Sequence, residues 1–156
     1  MRITICAVGR MRGGPEKVLV DDYLRRLERT GRSVGVGPCK LFEVEDRKGG
    51  KPAAEAELLG RSIPQDAYRI LLDERGRAMG SAEFARQIAG LRDQGRRDAA
   101  FVIGGADGFD PEFRSEADLL LSLGPMVWPH MLARVMLAEQ LYRATTILAG
   151  TPYHRA

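Results

Sequence analysis

Five short apolar runs, each leading into a glycine-bearing turn and then a stretch of helical period, constrain this chain more than any other feature. Ile3-Thr4-Ile5-Cys6-Ala7-Val8 ends at Gly9, and Lys40-Leu41-Phe42-Glu43-Val44 leads into a polar loop at 46–52. Arg69-Ile70-Leu71-Leu72-Asp73 closes at Gly76, Ala99-Ala100-Phe101-Val102-Ile103 runs straight into Gly104, and Leu119-Leu120-Leu121-Ser122-Leu123 into Gly124. Short runs rich in branched apolar side chains and bounded by turn residues read as strands. Most lack a clean polar alternation, as a strand covered on both faces requires, so the sheet is expected to be mainly parallel with helices on both sides. The second run does alternate, which places it nearer a sheet edge.

The intervening stretches read as helices. Pro15 opens one in which Val18, Leu19, Tyr23, Leu24 and Leu27 recur at helical spacing, and residues 53–63 make another. Ser81 is suited to cap a helix holding Phe84, Ile88 and Leu91, because its hydroxyl can accept from an early helical N–H. At Asp110-Pro111 a carboxylate caps and a proline sits where its missing N–H is harmless. Pro129 opens the last and longest helix, with Leu132, Val135, Met136, Leu141, Tyr142 and Leu148 on its apolar side, ending at Gly150. With 156 residues, no internal repeat and no linker, the expectation is one α/β domain over 1–156.

Composition narrows the function. At 44% hydrophobic and 29% charged residues the chain is neither disordered nor fibrous. A net charge of +3 permits a nucleic-acid partner without demanding one. Arg25, Arg26, Arg29 and Arg32 form one basic group and Arg92, Arg96 and Arg97 a second, each either an RNA contact or an ordinary solvated face. Cys6 and Cys39 lie in apolar runs and read as small buried residues, with no CxxC pair for redox or zinc work. With only two histidines and no Cys–His cluster, no metal site is expected. No stretch approaches the roughly 20 apolar residues of a membrane span, and the run at 3–8 is too short for a signal core, so a cytoplasmic protein is expected.

In an open parallel sheet, ligands bind beyond the carboxyl ends of the strands. Three of those ends stand out: Leu72-Asp73-Glu74-Arg75-Gly76, Ile103-Gly104-Gly105-Ala106-Asp107-Gly108, and Ser122-Leu123-Gly124-Pro125-Met126-Val127-Trp128-Pro129-His130. Paired glycines allow close backbone approach to a ligand, though they equally serve a plain turn. The second segment lacks the Lys-Ser/Thr of a phosphate-cradling loop and the full GxGxxG spacing. The third is stiffened by prolines, and its main-chain groups could read an adenine edge while Trp128 or Met126 supplies an apolar wall; a lone tryptophan serves equally well in a core.

These residues resemble a known family. The run Ile103-Gly104-Gly105-Ala106-Asp107-Gly108, Leu121-Ser122-Leu123, Pro129-His130 with Arg134-Val135, Ala138-Glu139-Gln140-Leu141-Tyr142-Arg143-Ala144, and Pro152-Tyr153-His154-Arg155 is similar to the ribosomal RNA large subunit methyltransferase H family. The resemblance covers essentially the whole chain. It implies a SPOUT-class α/β fold with a trefoil knot in the C-terminal half and a homodimer. It also implies methyl transfer from S-adenosylmethionine to N3 of a pseudouridine in 23S rRNA of the assembled ribosome. No pattern in the sequence points to a knot, which ordinary chain-threading rules disfavour.

Carried onto this sequence, the resemblance implies that the cofactor is held by Leu72, by Gly104 and Gly105, and by Gly124, Pro125, Met126, Val127, Trp128 and Pro129, mainly through their backbone. The chain departs from commoner members at Gly124-Pro125, where a serine with a longer residue is frequent, and at Val127, where threonine is frequent. Tyr153, His154 and Arg155 are implied to face the RNA, beside the partner subunit's cofactor. By residue type, His154 is suited to accept or relay the N3 proton, Arg155 to hold a phosphate, and Tyr153 to stack on a base. Read without the resemblance, residues 151–156 are a solvated end. Two other readings compete: a non-catalytic ribosome-binding protein on the same fold, and a nucleotide-cofactor enzyme on a conventional doubly wound sheet. The latter has only a poor phosphate loop in Gly9-Arg10-Met11-Arg12-Gly13-Gly14.

Overall fold

The structure, a computed structural model, describes residues 1–45, 49 and 51–155. Much of the polar loop expected at 46–52 therefore lies outside the described residues. Strands β1 (Arg2–Val8), β2 (Cys39–Val44), β3 (Tyr68–Ala78), β4 (Asp98–Ile103) and β5 (Leu119–Ser122) form one sheet in the order β2-β1-β4-β3-β5. Every neighbouring pair is parallel, as the apolar runs imply. The alternating run, β2, is an edge strand with a half-exposed pattern. Helices α1 (Pro15–Gly31), α2 (Pro52–Ser62), α3 (Ser81–Asp93) and α4 (Pro111–Ser115) connect the strands, and α5 (His130–Ala149) follows the last one.

The central strand β4 is buried at every position and feeds two cores by the two-residue period of a strand. Ala99, Phe101 and Ile103 pack with Leu27 of α1, Phe84 and Ile88 of α3, and Leu137 and Leu141 of α5. Ala100 and Val102 pack with Leu59 of α2 and Phe113 of α4 on the opposite face. Phe84 meets Phe101 edge-on, with ring centroids 6.0 Å apart. Cys6 and Cys39 are free, and burial pushes both thiols up to about 12, so neither is an activated nucleophile.

Three local expectations are corrected. The buried side of α5 carries Arg134, Leu137, Ala138, Leu141, Ala144, Thr145 and Thr146, with Leu137 and Leu141 in the core under β4 and Ala138 packed with Val20 of α1, leaving Val135, Met136, Tyr142 and Leu148 half-covered and Leu132 exposed. The helix is apolar around much of its circumference, and it is covered from α1 as well as from the sheet. Ser81 is not a cap: Gly80 holds that position, and the Ser81 hydroxyl donates to Gln140 Oε1 at 2.8 Å. Strand β3 does not close at Gly76. Leu72 and Arg77 both pair with Leu121, so residues 73–76 are looped out and the strand resumes as far as Ala78. Gly76 permits this, since a Cβ there would stand 2.6 Å from the Leu120 carbonyl. The Asp110 cap is present, its Oδ2 accepting from Phe113 N at 3.2 Å.

Arg134 fixes the start of α5 against the carboxyl ends of β1 and β2. Its side chain is fully buried. Nη1 donates to Glu43 Oε2 at 2.9 Å, and Nη2 lies 3.1 Å from both the Val8 and Gly9 carbonyl oxygens. Glu43 Oε2 also accepts from Met11 N at 2.6 Å. Removing one member of a buried ion pair strands the other charge. Glu43→Leu is therefore expected to cost about 3 kcal/mol in urea denaturation, at the low end of the usual range because Glu43 is partly exposed. Adding Arg134→Met should recover most of that loss; a double variant no more stable than the single one would contradict the stranded-charge account.

Candidate active site

A cleft of about 840 Å³ opens beyond the carboxyl ends of β3, β4 and β5. Three segments form its walls: the β3 bulge at 72–75, the turn at 104–109, and the loop leading through Met126, Val127, Trp128 and Pro129 to His130. These are the three strand ends that the sequence singles out. Of the residues expected to hold a cofactor, Leu72, Gly104, Gly105, Gly124, Met126, Val127, Trp128 and Pro129 line the cleft together; Pro125 lies in the same loop but does not line it. Trp128 is 41% exposed and Val127 84%, so the tryptophan belongs to the cleft and is no core residue.

Local chemistry shapes each wall. The turn after β4 is closed by Gly108 N donating to Gly105 O at 3.1 Å, with Gly108 at φ 77°. A Cβ on Gly105 would stand 2.7 Å from Glu55 Oε2, and one on Gly104 would stand 3.1 Å from the Phe109 ring, so both glycines serve packing as well as any ligand. Gly124 has φ 108°, a conformation that favours glycine. Its N–H donates to Ser122 Oγ at 3.1 Å, and that hydroxyl lies 3.2 Å from the carbonyl oxygens of Glu74 and Gly124, either of which can take its single proton. The side chain of Ser122 thus joins the loop after β5 to the bulge of β3.

The bulge is held from below by a carboxylate. Asp73 Oδ2 accepts from Arg114 Nε at 2.7 Å, and Oδ1 accepts from Arg75 N at 2.9 Å. Burial pushes the Asp73 carboxyl up, but the hydrogen bonds from Arg75 and Arg114 outweigh it and hold the group below the usual carboxylate range. Asp73 is therefore a fixed anion at the cleft, not a proton carrier. Ser122 lies in one of the segments that the sequence singles out, but its tie to Glu74, 48 residues away, is not legible there, and Arg114, 41 residues from Asp73, is not identifiable from sequence as part of the site.

The 151–155 arm lies elsewhere. None of Tyr153, His154 and Arg155 lines the cleft. Tyr153 and His154 are half-buried against α5, and Arg155 is exposed. Tyr153 donates its hydroxyl to Glu139 Oε1 at 3.0 Å and packs on Tyr142, with ring centroids 4.7 Å apart. Burial, then the Glu139 contact, raise the pKa of Tyr153 above the ordinary phenol value, so it stays a donor. Arg143 Nη1 lies 3.2 Å from His154 Nδ1. At 1.5 Å rise per residue, Arg143 is roughly 20 Å along α5 from His130 at the cleft. The arm thus packs at a distance from its own chain's cleft. Glu139 and Arg143, an ion pair on successive turns of α5, stand in the 138–144 motif run, but their role as the seat of the arm is not legible there.

A second cleft, of about 480 Å³, lies between α1, α3 and α5 and shares Leu121, Leu123 and Gly124 with the first. Leu19, Tyr23, Met136 and Glu139 line it, and nearby Val18 and Leu132 are exposed. The basic groups are partly engaged within the chain: Arg25 and Arg26 pair with Asp22, Arg32 with Glu28, Arg92 with Asp93, and Arg96 sits 5.5 Å over the Tyr68 ring. Among the described residues, no helix is long and apolar enough to cross a membrane, and no group of three or more His, Cys, Asp or Glu side chains is placed to hold a metal ion.

The family described as "Predicted SPOUT methyltransferase" matches residues 1–154. Proteins named "Ribosomal RNA large subunit methyltransferase H" are 62% identical in Dinoroseobacter shibae, 64% in Roseobacter denitrificans and 63% in Paracoccus denitrificans. Each match spans 155 residues and 99% of both chains. The matched span includes all three cleft walls and the arm through His154. The chain belongs to the SPOUT methyltransferases, within the ribosomal RNA large subunit methyltransferase H family.

Proposed function

We propose that this chain is a cytoplasmic methyltransferase that takes a methyl group from S-adenosylmethionine and places it on N3 of a pseudouridine in 23S rRNA of the assembled ribosome. The observation that carries the reading is the cleft built from three glycine- and proline-bearing turns at the carboxyl ends of β3, β4 and β5. Its volume, about 840 Å³, is within the range of small-molecule sites. The names of the relatives support ribosomal RNA as substrate. The reading includes the trefoil knot that the class carries in its C-terminal half.

S-adenosylmethionine, when bound, would supply an already activated methyl group for the lone pair of N3. Everything else falls to this chain's residues. Main-chain groups at Leu72, Gly104, Gly105 and residues 124–129 grip the cofactor, with Pro125 stiffening the loop and Met126, Val127 and Trp128 forming its apolar lip. Because the contacts are main-chain, the valine at 127 is compatible with binding. Holding donor and acceptor in line can supply roughly 7–11 kcal/mol of a barrier reduction. Arg155, exposed, holds a phosphate, and Tyr153 and His154 face the base.

The arm reaches a cleft through a homodimer. Val18 and Leu19 of α1 and Leu132 of α5 are exposed apolar residues beside the second cleft. A second copy seated there covers them and brings one subunit's arm toward its partner's cofactor, which the roughly 20 Å between arm and cleft in one chain otherwise prevents.

Calorimetry should show heat of binding with S-adenosylmethionine and none with NADH or ATP. On ribosomes lacking the modification, nucleoside mass analysis should find one methyl on N3 of a pseudouridine. Binding to NADH or ATP, or RNA binding with no methyl transferred, would overturn the reading. Sedimentation at micromolar concentration should give a dimer; a monomer that still methylates at full rate would contradict the shared site.

A further inference from the structure

The contact between Arg143 and His154 determines which nitrogen of the imidazole is free. A guanidinium has five N–H donors and no acceptor, so at 3.2 Å Arg143 Nη1 donates and His154 Nδ1 accepts. The neutral ring then carries its proton on Nε2. Arg143 is itself held in place: Nε and Nη2 donate to Glu139 Oε1 at 2.9 and 2.5 Å, and its guanidinium lies 4.8 Å from the Tyr153 ring centroid. Glu139 is held in turn, Oε2 accepting from Gln140 Nε2 at 2.8 Å, while Gln140 Oε1 accepts from Ser81 at 2.8 Å. A chain of hydrogen bonds thus runs from the start of α3 through α5 to the arm. The charged and titratable groups of this cluster are Arg143, Glu139 and Tyr142 of α5, Tyr153 and His154 of the arm, and Tyr23 and Arg26 of α1, the Arg26 guanidinium lying 5.9 Å from the Tyr142 ring centroid.

We propose that Glu139 and Arg143 are positioning residues that lock His154 as the Nε2–H tautomer, so that His154 meets the pyrimidine as a hydrogen-bond donor to a carbonyl oxygen and not as the base for N3. This rests on the reading that the arm faces the RNA. In this arrangement the ring has no lone pair to offer: Nδ1 is occupied by Arg143 and Nε2 bears its own proton. The chemistry suits a donor. When N3 loses its proton, negative charge spreads onto the flanking carbonyl oxygens, and an N–H held against one of them stabilises that charge. The N3–H bond breaks with its proton passing to water, and the pair left on N3 forms the bond to the methyl carbon.

The test has two independent arms. In ¹⁵N-labelled protein, two-bond ¹H–¹⁵N spectra of the two imidazoles, assigned with His154→Gln, should show the Nε2–H pattern for His154. Arg143→Met should convert it to a tautomer mixture. In methylation assays, His154→Ala should lose on the order of 10²–10³-fold in rate, the usual cost of removing a donor aimed at developing charge. His154→Gln, whose amide N–H can stand where Nε2–H stood, should stay within about tenfold of the natural chain. An Nδ1–H tautomer, or a His154→Gln variant as slow as His154→Ala, would overturn the inference alone. Full activity in His154→Ala would overturn the placement of the arm at the RNA, and this role with it.

Discussion

A guanidinium with no exposed surface joins the last helix to the first strand, and the working end of the molecule is arranged around it. Arg134 is the largest fully buried side chain, and burial pulls its pKa down while Glu43 holds it up. Its Nε is, among the described residues, the buried side-chain atom left without a hydrogen-bond partner. A buried ion pair that is not fully satisfied is weak evidence for stability, and its value here is geometric. Arg134 sits one turn into α5, just after the loop that forms one cleft wall, and binds the carboxyl ends of β1 and β2. The direction in which the 123–129 loop enters its helix is thereby set relative to the sheet.

A cleft made in this way depends on backbone paths more than on side-chain chemistry. Gly124 turns the loop, Ser122 ties it to the bulge of β3, and Arg114 holds the bulge through Asp73. The bulge in turn depends on Gly76 passing against the Leu120 carbonyl. Such an enclosure suits a donor that is already activated, because orientation is then the main requirement. The polar side chains of the arm lie apart, around Glu139 and Arg143, next to the second cleft. On the proposed function, labour divides between a main-chain pocket and a side-chain arm.

The sequence shows much of this and hides the rest for identifiable reasons. Strands were legible because burial on both faces leaves unbroken apolar runs, and β2 was legible as an edge because its polar alternation survives. The cleft walls were legible because glycine and proline cluster at strand ends, where a parallel sheet places ligands. What was hidden is non-local. Ser81 has the right type and position for a cap, but Gln140, 59 residues on, takes its proton. The buried face of α5 could not be chosen from a helix apolar on most sides. The bulge of β3 exists only in register with β5. Trp128 fits a core by residue type and lines a cleft in fact. The fold family came from the combined motifs, since no single segment carries it.

The central claim is that main-chain turns at the carboxyl ends of β3, β4 and β5 hold the methyl donor. Hydrogen–deuterium exchange with and without S-adenosylmethionine tests it most directly. The account predicts slowed exchange at the amides of Gly104, Gly105, Gly124, Met126, Val127 and Trp128. Unchanged exchange at these amides, or protection confined to Met136, Glu139 and Gln140 of the second cleft, would contradict it.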